Sequence, residues 1–189
     1  MDQEFPLKIE TIFRNVKYPR LEVMPGIVRI ILPLNLNYDE EFARKLVKKH
    51  KDWILKKHSL LEEALKVSEK LPIEKRSIED FKKEVLMLVE KYSKELGVSP
   101  RKVFFRRMKS RWGSCSGARN ITVNSLARFL PKDLVEYIVY HELCHLVERK
   151  HNERFWALVS RKFPDFGEKE FLLLAYRLKL DREVGRLYG

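Results

Sequence analysis

Apolar and polar positions alternate with a period of two over Leu7 to Phe13 and again over Ile27 to Leu32, the spacing of half-buried strands. Pro25-Gly26 marks a turn before the second run, and Pro33 ends it. From Asp39 to about Lys66 the period becomes helical. Phe42, Leu46, Val47, Trp53, Ile54, Leu61 and Leu65 form the apolar stripe of one long amphipathic helix. Leu71-Pro72-Ile73-Glu74 interrupts the pattern, which divides the chain into an N-terminal part, residues 1–75, and a larger part, residues 76–189. A helix from about Ile78 to Leu96 stops at Gly97. Two short strands follow, about Val103 to Lys109 and Asn120 to Asn124, joined by a turn from Gly113 to Gly117. Pro131 suits the first position of the next helix, with Asp133 and Glu136 near its positive end. Asn152 caps a short helix that Pro164 closes, and a last helix spans about Glu168 to Leu187. The pattern is that of an α+β protein: a compact domain with a small sheet, preceded by a strand-strand-helix segment.

Composition supports this reading. A 44% hydrophobic content provides a core, and 35% charge provides a soluble surface. No run approaches the ~20 apolar residues of a membrane span. The residues from Met1 to Pro6 do not resemble a signal peptide, and two cysteines make no disulfide framework. The expectation is a cytoplasmic protein without a membrane partner; no feature speaks to oligomeric state. Gln3 is the only glutamine among abundant Lys, Arg and Glu, a composition that fits a thermophile's surface.

The net charge of +12 is unevenly placed. No acidic residue occurs between Leu96 and Lys132, a window that contains Arg106, Arg107, Lys109 and Arg111. These four form a candidate rim for an anionic partner such as nucleic acid, a nucleotide or an acidic peptide. The alternative is a solvated basic face, which is the reading for the lysines from Lys45 to Lys57.

The chemistry concentrates in His141-Glu142-Leu143-Cys144-His145, an H-E-x-x-H run, with His151 six residues further on. Histidines four apart on a helix stand one turn above each other, so both rings can hold one ion. Leu134, Ile138, His141 and His145 share one inward stripe, and two buried histidines without a shared ligand would be costly. The spacing predicts a zinc site, with Glu142 beside it as the base that takes a proton from water. On an unbroken helix His151 would lie roughly 15 Å along the axis from His141. The helix must therefore stop near Glu148 to Lys150 and the chain must turn back if His151 is the third ligand. Glu148, Glu153, Glu168 and Glu170 are its rivals. There is no glycine between His145 and His151, so the astacin-like pattern is absent.

Other side chains near the motif have structural readings. Cys144 and Cys115 are expected to pack, Trp112 and Trp156 to line the site, and His50 and His58 to be solvated. Arg111, Arg128 and Tyr140 are candidate oxyanion stabilisers.

Together, Arg111-Trp112-Gly113-Ser114-Cys115-Ser116, Ile121-Thr122-Val123-Asn124, Pro131, the H-E-x-x-H run, His151 and Phe155-Trp156 resemble the YgjP-like metal-dependent hydrolases. These are compact zincins related to the SprT-like proteases. The resemblance is close from about Lys102 to Phe163 and extends in outline to the N-terminal part. It implies Zn2+ on three histidines with a glutamate base, on a minimal peptidase scaffold. The expectation is a zinc-dependent metallopeptidase acting on a protein or peptide. Two rivals stand beside it: a nucleotide phosphoanhydride hydrolase, favoured by the basic rim, and a nucleic-acid-binding module with structural zinc. Glu142 opposes the second, because a closed structural site has no use for a base.

Overall fold

The computed structural model describes residues 5–34 and 40–188. The expected helix start at Asp39 lies outside them. The chain divides into two compact units, Met1–Glu69 and Lys70–Gly189.

The N-terminal unit contains strands β1 (Lys8–Arg14), β2 (Arg20–Met24) and β3 (Ile27–Pro33), then helices α1 (Glu40–Lys49) and α2 (Lys51–Lys70). β3 is central, parallel to β1 and antiparallel to β2. Val28, Ile30 and Leu32 of β3 pack with Val47 and Ile54 of the helices. β2 was not among the expected strands. Its apolar positions, Leu21 and Val23, alternate over too few residues to announce it. Between β2 and β3, Gly26 takes a left-handed φ of 73°, which a side chain would strain. The expected single helix is two. His50 is a turn residue whose amide is shared between the Leu46 and Val47 carbonyls, at 3.3 and 3.2 Å. No proline or glycine marks this break. His58 is not merely solvated, because its Nε2 accepts a 3.0 Å hydrogen bond from the Gly26 amide.

The C-terminal unit contains α3 (Ile78–Leu96), β4 (Lys102–Arg106), β5 (Gly113–Cys115), β6 (Asn120–Asn124), a 3-10 turn (Ser125–Phe129), α4 (Lys132–Cys144), α5 (Glu153–Lys162) and α6 (Phe166–Tyr188). Ser77 caps α3 through the Asp80 amide, and Gly97 closes it with φ of 65°. The segment before α3 is tied to this unit. Glu74 N donates to Phe129 O at 3.0 Å, and the Tyr176 hydroxyl donates to Pro72 O at 2.9 Å.

The sheet order is β4-β6-β5, with β6 parallel to β4 and antiparallel to β5. The sequence reading had β4 and β6 joined by one turn. Instead Gly113 to Cys115 is itself a strand, and it returns the chain so that β6 can run alongside β4. The turn after it places Arg119 in the left-handed region at φ 60°.

α4 is the central helix. It packs against α3, α5, α6, β5 and β6. Its buried residues include Leu134, Val135, Ile138, Val139 and Leu143, and Cys144 is fully buried among them. Pro131 sits at the cap rather than inside the first turn, and its carbonyl receives the Leu134 and Val135 amides. Tyr140 is also buried, edge-on to Tyr92, with its hydroxyl on Leu158 O at 3.4 Å.

The stretch 107–112 between β4 and β5 is held by two side chains. Fully buried Asn124 donates from Nδ2 to Met108 O and Arg111 O, both at 2.8 Å. The Arg177 guanidinium reaches the same two carbonyls, at 3.2 and 3.0 Å, and lies 4.2 Å from the Trp112 ring. Trp112 itself donates to Leu173 O at 3.1 Å. Replacing Asn124 with Ala should strip buried carbonyls of a donor and cost about 1–3 kcal/mol. Chemical denaturation of the two proteins measures this, and equal stability would mean that Arg177 holds the stretch alone.

Candidate active site

His141 and Glu142 lie in the last turn of α4. His145 is its C-cap, with helical dihedrals of −67° and −14°. The α-helix therefore stops earlier than the expected Glu148 to Lys150. Val147 and Glu148 both turn their amides onto Cys144 O, at 3.0 and 2.8 Å, and the chain reverses. Asn152 then caps α5 by accepting the Phe155 amide at 3.1 Å. The reversal brings His151 Nε2 to 3.0 Å from His141 Nε2. One ring nitrogen from each of His141, His145 and His151 lies within 4.8 Å of the others. Three nitrogens bound tetrahedrally at ~2.0–2.1 Å would stand about 3.3 Å apart, so the donor set fits a zinc-sized ion.

The rings are fixed from outside. His145 Nδ1 is 3.1 Å from Glu148 O. A carbonyl only accepts, so the ring proton belongs on Nδ1 and the lone pair on Nε2. Behind His141, the Tyr137 hydroxyl donates to Glu170 Oε1 at 2.5 Å, and that oxygen lies 3.7 Å from His141 Nδ1. His145 stacks on Phe155, His151 on Trp156, and Trp156 on Phe166, with ring centroids 4.5, 5.6 and 4.9 Å apart. Burial, reinforced by His145 and His151, pushes His141 down to about 3. Burial lowers His145 as well. Both rings are thus neutral at pH 7, the form that offers a lone pair.

Glu142 is 7% exposed. Burial pushes its carboxyl up to about 8, while Arg111 pulls the other way. Its Oε2 is buried without a hydrogen-bond partner among the described residues. The carboxylate rests against the backbone of β5. A Cβ at Gly113 would come 2.5 Å from Glu142 Cγ and Oε1, so only glycine leaves room for this side chain.

These groups line an open cleft of about 710 Å3. One wall is the stretch from Ser110 to Gly117; the other carries the three histidines, Trp156 and Glu170. Of the four expected rim residues, only Arg111 lines the cleft; Arg106, Arg107 and Lys109 are exposed outside its lining. Arg149 joins Arg111 there, donating to Gly117 O at 3.1 Å. Among the other oxyanion candidates, Tyr140 is committed to Leu158 and Arg128 lies over the Phe129 ring at 4.6 Å. The rival third ligands are otherwise engaged or elsewhere. The Glu148 carboxylate takes the Lys150 amide at 3.1 Å, Glu170 stands behind His141, and Glu153 and Glu168 are not in the lining. Tyr137, Gly113 and Arg149 were not anticipated as site residues. Tyr137 had a signal, since it precedes His141 by four and shares its helix face.

A family model described as the YgjP-like metallopeptidase domain matches residues 68–174. The chain belongs to this family. The matched stretch contains every residue that lines the cleft. A curated relative, the UTP pyrophosphatase of Escherichia coli (strain K12), is 34% identical over 59 residues, which is 31% of this chain. The match spans 35% of that relative's length. Among solved structures, the metallopeptidase zymogen of Pyrococcus abyssi abylysin is similar at 30% identity and TM-score 0.41, covering 46% of this chain and 87% of that one. The zymogen of Methanocaldococcus jannaschii jannalysin is similar at 19% identity and TM-score 0.42, covering 48% and 88%.

The Gly113 contact yields a prediction. Gly113→Ala should displace the Glu142 carboxylate and slow turnover about 10–100-fold. Metal content should stay near that of the parent, because the atoms nearest the added methyl all belong to Glu142. Glu142→Asp, one methylene shorter, should cost less in the Gly113→Ala background than in the parent. Strictly additive losses would show that the two positions do not interact.

Proposed function

We propose that this YgjP-like protein is a zinc-dependent metallopeptidase. The observation that carries the reading is the convergence of three imidazole nitrogens in an open cleft, beside a buried carboxylate whose Oε2 has no hydrogen-bond partner among the described residues. His141, His145 and His151 would hold the ion. Zinc held there supplies Lewis acidity and brings the deprotonation of a water into the neutral range. Glu142 would accept that proton and return it to the leaving amine; its Oε2, buried without a hydrogen-bond partner among the described residues, is free to take it. Tyr137 and Glu170 hold the His141 ring in orientation. Arg111, at the cleft wall and near enough to Glu142 to act on its carboxyl, puts a positive charge beside the reacting group. The setting we propose is cytoplasmic, consistent with two free cysteines.

A second reading has its own support. Two arginines face the cleft, and the Escherichia coli relative is a UTP pyrophosphatase. Hydrolysis of a nucleotide phosphoanhydride would use the same base. Three imidazoles are softer ligands than the oxygen donors such chemistry usually employs, which favours the peptidase.

Purified protein should carry about one zinc per chain. Replacing any of the three histidines with Ala should abolish tight binding. Glu142→Gln should keep the zinc and lose turnover of casein or of nucleoside triphosphates by about 10²–10⁴-fold. Elemental analysis and parallel assays measure both. Full activity of Glu142→Gln, or loss of its zinc, would end the reading of Glu142 as the base.

A further inference from the structure

We propose that Arg111 and Arg149 form an oxyanion seat that fixes one end of the substrate in the cleft. The inference rests on the reading of that cleft as the active site and adds the chemical class of group it recognises.

Four arginines of this unit use their donors differently. Arg177 spends its donors on Met108 O and Arg111 O, and Arg76 spends its on Glu84, Arg128 O and Leu130 O. Both are internal struts. Arg111 differs: it lines the cleft, and among the described residues its side chain makes no hydrogen bond or ion pair. Arg149 is intermediate. Its Nη2 holds Gly117 O, and its other donors remain available on the cleft side. Both guanidinium groups therefore have donors to offer to a molecule in the cleft. Glu142 feels the Arg111 charge, but its Oε2 has no hydrogen-bond partner among the described residues and the carboxylate packs against Gly113.

The surrounding wall has matching chemistry. From Ser110 to Gly117 it contains no acidic residue, and Ser110, Ser114 and Ser116 are among the lining residues. Two planar guanidinium forks in one cleft lining suit a group with several charged oxygens. Such a group is either the phosphate chain of a nucleotide or a carboxylate of a peptide.

Calorimetry on the zinc-loaded Glu142→Gln protein separates these sources without turnover. The probes are inorganic pyrophosphate and a pair of short peptides that differ only in a free or amidated C-terminus. Zinc content is measured after each titration. Arg111→Gln and Arg149→Gln should each weaken the binding of one probe by about tenfold or more, and added salt should weaken the parent in the same direction. Dependence seen with pyrophosphate identifies a phosphate source; dependence confined to the free-carboxylate peptide identifies a peptide source. Arg106→Gln, outside the cleft lining, should change neither. The seat is overturned if neither probe depends on the two arginines, or if Arg106→Gln is as damaging as either. Binding that depends on the arginines in a protein whose Glu142→Gln form still turns over would instead retain the seat and remove the proposed base.

Discussion

Two ring nitrogens ten positions apart in sequence stand 3.0 Å from each other, and no unbroken α-helix can do that. Most of the site follows from meeting this constraint. α4 must end at Cys144, immediately after it has positioned His141 and Glu142. The turn that follows must be tight, so its amides fold back on Cys144 O. The next helix must begin at once, and Asn152 starts it. α5 then offers Phe155 and Trp156 as flat surfaces for the imidazoles of His145 and His151. The aromatic residues beside the histidines are the mould that keeps three rings converging.

The opposite wall is built on a different principle. The stretch 107–112 has no regular hydrogen-bond ladder of its own, yet it must hold Arg111 and Gly113 in fixed places. Asn124 and Arg177 satisfy the same two carbonyls from two directions, and Trp112 anchors on α6. A stretch without secondary structure is thereby tied to a strand and to a helix. Gly113 can then run so close to α4 that the missing side chain becomes the pocket in which Glu142 lies.

How much of this could be read from the chain depended on the range of the interaction. The metal-binding candidates were legible because helix periodicity and a six-residue spacing impose geometry directly. The Asn152 cap, the Gly97 stop and the buried Cys144 were legible for the same local reason. β2 was missed because five residues between two prolines carry little periodic signal. The break at His50 had no residue that forces it. The parallel pairing of β4 with β6, the Gly26 bond to His58, and the arrival of Arg149 at the cleft are contacts between distant positions, which no pattern along the chain records. Of the expected basic rim, the cleft takes in Arg111 alone, because charge density in sequence does not say which way a side chain faces.

One of these contacts has a consequence for how the site tolerates change. The proton on His145 is fixed by the carbonyl of Glu148, a main-chain atom. Every amino acid supplies that carbonyl, so the identity of residue 148 can drift without altering which nitrogen of His145 offers its lone pair. His141, by contrast, leans on the side chains of Tyr137 and Glu170. Of two adjacent rungs of one helix, the first is supported by chemistry that mutation can remove, and the second by the path of the backbone itself.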